Sequence, residues 1–100
     1  MTAIYETLKG TGLPCAYARF KRPQELPFVV YVGNGQDHAA ADNSYIWSEN
    51  RYQIEYYFAL KNEEHEAAIE RALLEAGYRY TKSEDIYIED QDVFVIYYYV

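Results

Sequence analysis

The sequence has little of what marks a membrane-spanning, secreted or disulfide-bonded protein. Its longest stretch without a charged residue, Leu26–Gln36, has 11 residues, whereas a membrane-spanning helix needs about 20. The N-terminus lacks the basic and then apolar profile of a signal peptide. The one cysteine, Cys15, excludes an internal disulfide and a cysteine-based zinc site. These absences fit a reduced cytosolic compartment.

Basic residues are also scarce. The chain has 9 Lys and Arg against 16 Asp and Glu, which gives a net charge of −7. The excess of acid lies entirely in residues 63–100, which hold ten acids and three bases. Such a chain is a poor general binder of nucleic acid, because phosphate binding relies on Lys and Arg. The only basic cluster, Arg19, Lys21 and Arg22, is typical of a solvated rim at a strand end.

Apolar and aromatic residues are plentiful by contrast. Half of the 100 residues are apolar and 18 are aromatic, of which 13 are Tyr. This composition indicates globular material rather than a disordered tail. The length predicts a single domain that spans residues 1–100.

Hydrophobic spacing predicts two helices. A short one covers about residues 2–10, with Thr2 as a possible N-cap. A longer one covers about 63–76, between an N-cap at Asn62 and a C-terminal Gly77. Its apolar stripe is predicted from spacing to comprise His65, Ile69, Ala72, Leu73 and Ala76, with Glu66, Glu70 and Arg71 off the stripe.

The remaining residues predict strands. The predicted strands are Cys15–Lys21, Phe28–Val32, Tyr45–Phe58, Tyr78–Lys82, Ile86–Ile88 and Val93–Val100. The first is expected to place Ala16, Ala18 and Phe20 on one face. Residues 33–44 are small and polar and are interpreted as a flexible loop with a contact function. The order predicts an α+β domain whose mainly antiparallel sheet of four to five strands packs both helices on one face.

One face of this sheet is expected to lack a cover. A four-stranded sheet has a face of roughly 300 Å², and a helix about 21 Å long and about 10 Å wide can cover one such face but not two. Tyr57, Tyr97 and Tyr99, or their immediate neighbours, then lie on the uncovered face. A Tyr-rich patch of this size favours a protein interface. The alternative is a face that remains exposed to solvent, because the phenol group of tyrosine tolerates water.

No catalytic constellation is evident. Cys15 lies among apolar residues, which favours a buried and inert thiol, and His65 is interpreted as a packed helix residue. His38 with Asp37 and Asp42 could bind a metal through N and O atoms, but the spacing matches no specific motif. Glycines 33 and 35 precede no helix and no Lys-Ser/Thr pair, which excludes both nucleotide-binding motifs. We therefore expect no metal, no cofactor and no enzymatic activity.

The order of motifs resembles a known family. Thr11–Pro14 follows the short helix, Pro27–Tyr31 forms an apolar strand, Ala41–Asn43 precedes Tyr52–Tyr56, and a helix with Ile69-Glu70 leads to a closing hairpin. Over nearly the whole chain this is similar to small proteins of phages and prophages of Gram-positive bacteria. These are related to the tail terminator, or tail-completion, proteins of long non-contractile tails.

The resemblance implies a structural protein of the virion tail that is made in the host cytoplasm. Tail terminators assemble as a ring, usually a hexamer, which ends polymerisation of the tail tube and joins the tail to the head connector. The expected partners are further copies of the chain, the tail-tube protein and the head-connector protein, with no membrane and no specific nucleic acid. The candidate interface residues are Asn34, Asp37, His38, Asp42, Trp47, Tyr57, Tyr97 and Tyr99.

The acidic surplus suits a ring lumen through which DNA slides without sticking, since phosphates are repelled. The candidate lumen residues are Glu84, Asp85, Glu89, Asp90 and Asp92. Two other classes stay open. An acidic interaction module, or a DNA mimic that inhibits a host nucleic-acid enzyme, would also be small and Tyr-rich. A ligand-binding or enzymatic domain would show a concave pocket with convergent polar groups.

Overall fold

The computed structural model describes the backbone of residues 3–41 and 44–100 and the side chains of residues 3–36 and 50–100. The molecule measures 51 × 27 × 26 Å. The helices are α1 (Ala3–Lys9) and α2 (Glu63–Glu75), and a short 3₁₀ turn covers Glu89–Gln91. The strands are β1 (Cys15–Tyr17), β2 (Phe28–Ala41), β3 (Ser44–Phe58), β4 (Thr81–Lys82), β5 (Ile86–Ile88) and β6 (Val93–Tyr99).

The strands form one sheet in the order β1-β2-β3-β6-β4, with β5 also paired to β6. β1 runs parallel to β2, and the other pairs are antiparallel. The α+β class and the mainly antiparallel sheet are as predicted, although the sheet has six strands rather than four to five. Long strands lie in the centre, and the edge strands β1, β4 and β5 have only 3, 2 and 3 residues.

Both helices pack on one face of the sheet, which we call the core face. Alternate residues of the central strands point into it, so the predicted alternation of Tyr52, Ile54, Tyr56 and Phe58 is confirmed. The core combines side chains of α1 and α2 with those of the strands: Ile4, Leu8, Val29, Tyr31, Ile54, Tyr56, Phe58, Ile69, Leu73, Ile96, Tyr98 and Val100.

The limits of α2 follow local signals in the sequence. The Asn62 side chain accepts hydrogen bonds from the backbone N–H groups of Glu64 (3.0 Å) and His65 (3.2 Å), which caps the first turn. Gly77 adopts a φ of 91° just beyond the helix, a conformation that favours glycine at this position. The predicted stripe is partly wrong, however. Ala76 is exposed, and Glu66 is only 2% exposed although it was placed off the stripe.

The strand predicted for Cys15–Lys21 ends early. β1 stops at Tyr17 because Ala18 adopts a φ of 62°, which takes the chain out of the sheet. Phe20 therefore does not continue the strand. Its ring packs edge-on against Phe28, with 5.2 Å between the ring centroids, on the face opposite the helices.

The loop predicted for residues 33–44 is also wrong. β2 continues to Ala41 and β3 begins at Ser44, so most of this segment is paired strand. The register shifts between Gly33 and Gln36, where Gly35 has a φ of 82°. A glycine with positive φ is typical of a β-bulge, which adds one residue and increases the local twist. The glycines thus bend β2 rather than end it.

Candidate interaction surfaces

The face opposite the helices, which we call the helix-free face, is lined by the other alternate residues of the central strands. By register these are Phe28, Val30, Val32, Gln53, Glu55, Tyr57, Val95, Tyr97 and Tyr99. Val30 and Val95 are buried by their neighbours, whereas Tyr99 is 38% exposed. The structure thus places the three predicted tyrosines, Tyr57, Tyr97 and Tyr99, on one surface without a helix.

A carboxylate lies in the middle of this face. Glu55 accepts hydrogen bonds from the Tyr57 hydroxyl (2.6 Å) and the Gln53 amide (3.0 Å). Burial, and next the hydrogen bond to Glu55, raise the pKa of Tyr57. Burial and the Glu55 charge also raise the pKa of Tyr97, whose ring stacks on Tyr99. Both hydroxyls therefore stay protonated at neutral pH and available for hydrogen bonds.

An open groove lies at one end of the helix-free face, where β2 begins. Its volume is about 490 Å³. Apolar side chains of the segment 18–26 and of the strands form its floor, and Arg19 and Arg22 lie at its rim. The apolar lining residues include Phe20, Leu26, Phe28, Tyr57, Ile88 and Val93.

At the opposite end, β2 and β3 continue past the sheet as a two-stranded ribbon. We call residues 34–41 and 44–51 the arm. Asn34, Asp37, His38 and Trp47 of the candidate interface belong to its strands, while Asp42 lies outside the described residues. The arm is therefore separate from Tyr57, Tyr97 and Tyr99, which lie on the body. The Gln36 amide donates a hydrogen bond across the arm to Asn50 at 2.9 Å.

The candidate lumen residues lie along the edge formed by β5 and its flanking turns. Glu84, Asp85, Glu89, Asp90 and Asp92 are all exposed. Asp85 pairs with Lys61 at 3.0 Å, and Asp92 accepts a hydrogen bond from the Tyr87 hydroxyl at 2.7 Å. The structure thus gathers these acids at one sheet edge, away from the arm.

An ion cluster under α2 was not predicted from the sequence. The Glu66 carboxylate is almost fully buried and lies 2.7 Å from Lys61 Nζ and 2.9 Å from Lys82 Nζ. Lys82 also contacts Glu70 at 2.7 Å, and Glu70 accepts a hydrogen bond from the Tyr98 hydroxyl. Glu66, Ile69 and Leu73 occupy positions i, i+3 and i+7, so the spacing alone places Glu66 on the inward side of α2.

Charge neighbours set the ionisation of this cluster. Burial opposes the charged forms, but Lys82 and the Tyr98 hydroxyl hold the pKa of Glu70 below its usual value. Burial likewise opposes the charge on Lys82, yet the hydrogen bonds to Glu70 and Glu66 raise its pKa. Both groups are charged at neutral pH, and the cluster ties α2 to β4.

The other titratable candidates lie among packed residues. Burial raises the pKa of the Cys15 thiol to about 11, which leaves it protonated at neutral pH. His65 Nδ1 lies 3.2 Å from the Tyr56 hydroxyl, beside a second cleft of about 380 Å³.

Within the described residues, no group of three or more His, Cys, Asp and Glu side chains could hold a metal ion. The described helices include none that is long and apolar enough to cross a membrane.

No family model matches the chain, and no curated protein matches it.

Proposed function

We propose that this protein is a structural component of a phage or prophage tail, in which a ring of copies ends polymerisation of the tail tube and joins the tail to the head connector. The observation that supports it most is a sheet with helices on one face only. The helix-free face presents Val, Phe and Tyr side chains from all three central strands. Large apolar patches are rare on monomers, and Tyr is enriched in interfaces. Such a face suits packing between subunits.

The acidic edge supports the same function. Four of its five carboxylates, those of Glu84, Glu89, Asp90 and Asp92, form no ion pair within the described part of the chain. In a ring with this edge at the inner surface, they would repel the phosphates of passing DNA. A structure of the assembled ring with these side chains at its outer rim would contradict this orientation.

The test begins with the genes that flank the coding sequence. Head-connector genes upstream and a major tail-tube gene downstream are expected, whereas metabolic neighbours would count against the proposal. The gene is then deleted in the phage, and tail lengths are measured by negative-stain electron microscopy. We expect tails of uncontrolled length and few joined heads, with both defects corrected by the wild-type gene supplied in trans.

Tails of normal length on infectious particles of the deletion mutant would overturn the proposal. Binding of the purified monomer to a host nucleic-acid enzyme, together with normal tails, would favour the DNA-mimic alternative. The two results are distinguishable because particle assembly needs a tail terminator but does not need an inhibitor of a host enzyme.

A further inference from the structure

The groove at the start of β2 has walls of opposite charge. One wall, which we call the basic wall, is segment 18–25, which leaves the sheet beside β1 and holds three bases and one acid. At the opposite margin of the sheet, Ile88 and Gln91 line the groove. Glu89 and Asp90 lie between them in the 3₁₀ turn and form, together with them, the acidic wall. Charge is therefore separated across the groove.

The charges of the two walls have no ion-pair partner within the described part of the chain. These exposed and unpaired residues are Arg19, Lys21, Arg22, Glu89 and Asp90. Three to four strand spacings of about 4.8 Å, or roughly 14–19 Å, separate the two walls, whereas an ion pair requires about 4 Å. The walls of one copy therefore do not neutralise each other.

The floor between the walls is apolar. Phe28, Tyr57 and Val93 of the three central strands line it, and all three side chains are only partly buried. The groove volume of about 490 Å³ lies within the range of about 300–1,000 Å³ that is typical of ligand sites. An apolar floor of this size favours an occupant that brings apolar side chains of its own.

Segment 18–24 of the basic wall has the composition of such an occupant. It lies outside the sheet because Ala18 turns the chain out of β1, and all of its residues except Phe20 are exposed. It combines the charges of Arg19 and Arg22 with the apolar side chains of Phe20 and Pro23. The segment thus complements both the acidic wall and the apolar floor. It cannot enter the groove of its own molecule, because it forms one wall of that groove.

A second copy of the chain fits the groove better than a small ion does. A small anion would be attracted by the basic wall and repelled by the acidic wall. A copy related by a two-fold axis that runs along the strands presents the same surface in reverse order. Its basic wall then lies against the acidic wall of the first copy, and the same contact occurs a second time across the axis. The two sheets pack in the aligned orientation that is common in sandwiches.

We infer that two copies pair through this groove, with segment 18–24 of each inserted into the groove of the other and its arginines beside Glu89 and Asp90 of the second copy. The contact covers one end of the sheet, a few hundred Å² per copy on the order of four strand spacings squared, which is typical of weak and transient interfaces. It occupies two of the acids proposed above for the ring lumen. If the proposed function holds, the dimer is the form before assembly and opens when the ring closes.

Charge reversal tests the contact. The basic-wall variant carries Arg19→Glu and Arg22→Glu, and the acidic-wall variant carries Glu89→Lys and Asp90→Lys. Each variant has two walls of like charge, so each should associate about tenfold or more weakly than the wild type. Sedimentation and native mass spectrometry from about 10 μM to about 1 mM measure the association, because weak contacts form in this range.

An equal mixture of the two variants is the decisive sample. One variant has two acidic walls and the other has two basic walls, so the mixture should form a 1:1 heterodimer. A chain with all four substitutions should also regain association. In both samples the dimer should be the largest species that depends on these residues, because a two-fold contact closes at two copies.

Matched controls separate the contact from net charge. Arg71→Glu with Arg79→Glu repeats the charge change of the basic-wall variant at exposed positions outside the groove, and Glu6→Lys with Glu75→Lys repeats that of the acidic-wall variant. Both controls should associate like the wild type. Circular dichroism checks each fold, and raised salt should weaken association of the unmodified chain.

Four results would overturn the inference. The first three are wild-type association in both charge variants, no heterodimer in the mixture, and a wild type that stays monomeric up to about 1 mM. The fourth is an assembly larger than a dimer that both charge variants abolish, since this would indicate a head-to-tail contact. Normal tails after gene deletion, with the dimer confirmed, would overturn only the proposed function. Uncontrolled tail lengths with no dimer would overturn only the inference.

Discussion

On the core face, Tyr56 and Tyr98 are fully buried and their hydroxyls lie beside His65 and Glu70, whereas on the helix-free face Tyr99 keeps 38% of its surface exposed. The two faces alternate along the same strands and use the same residue types. Val29 and Val30, for example, are neighbours in β2 that point to opposite sides. The difference lies in the cover. Two helices of the same chain shield one face, whereas the other face has no helix against it.

The largest expected effect is on the core face. Leu73→Ala removes a fully buried side chain between α2 and the sheet, and such a change lowers the free energy of unfolding by about 2–5 kcal/mol. The adjacent Leu74 is 58% exposed, so Leu74→Ala is the matched control and should change stability little. Urea denaturation of both variants measures the difference. Equal losses would show that α2 does not cover the core as described.

Glu66→Gln should have the next largest effect on stability. It keeps the shape of the side chain but removes the negative charge between Lys61 and Lys82. Both lysines reach solvent, which limits the cost to about 1–3 kcal/mol, below that of a fully buried pair. Glu75→Gln, at an exposed position of the same helix, serves as the control. A neutral or stabilising Glu66→Gln would mean that burial of the carboxylate costs more than its ion pairs return.

Two hydroxyl deletions compare the faces directly. Tyr98→Phe removes a hydrogen bond to Glu70 in the core, and Tyr57→Phe removes one to Glu55 on the helix-free face. We expect a loss of about 1.5–3 kcal/mol for the first and about 0.5–1.5 kcal/mol for the second, because Tyr57 and Glu55 are partly solvated. Thermal denaturation of the two variants measures both losses of stability. A larger loss for Tyr57→Phe than for Tyr98→Phe would show that the helix-free face excludes water as well as the core does.

The smallest expected effect is a change in stability with pH. The pKa of Glu70 is lower in the folded chain than its ordinary value of 4.5. The contribution of the ionised Glu70 side chain to the free energy of unfolding is therefore present above that value, and it is lost as the pH falls through the folded pKa. The stability advantage of the wild type over Glu70→Gln should therefore shrink between about pH 7 and about pH 3. An advantage that stays constant over this interval would contradict the assigned cause.

Local signals in the sequence were enough for several elements. The Asn62 cap, Gly77 and the alternation of Tyr52–Phe58 each act within a few residues, so α2 and β3 could be predicted closely. The position of Tyr57, Tyr97 and Tyr99 on one helix-free surface followed from the same alternation together with the small size of the helices. Their role in an interface stays a prediction.

Features that depend on distant partners could not be predicted. A charged residue at an inward helix position is tolerated only because Lys61 and Lys82 reach it from other segments. β2 continues past Val32 through two glycines that resemble the end of a strand, although Gly35 forms a bulge. The turn at Ala18 depends on a left-handed conformation that alanine rarely adopts.

The short strands at both margins of the sheet limit how the protein can aggregate. β1, β4 and β5 offer only 3, 2 and 3 residues for pairing with a stray chain, and short edges are poor templates for lateral growth. The eight-residue apolar run at the C-terminus, by itself an amyloid-like segment, lies between β3 on one side and β4 and β5 on the other. Truncation before β6 would thus remove the segment most prone to fibril formation, whereas loss of β4 and β5 would expose it.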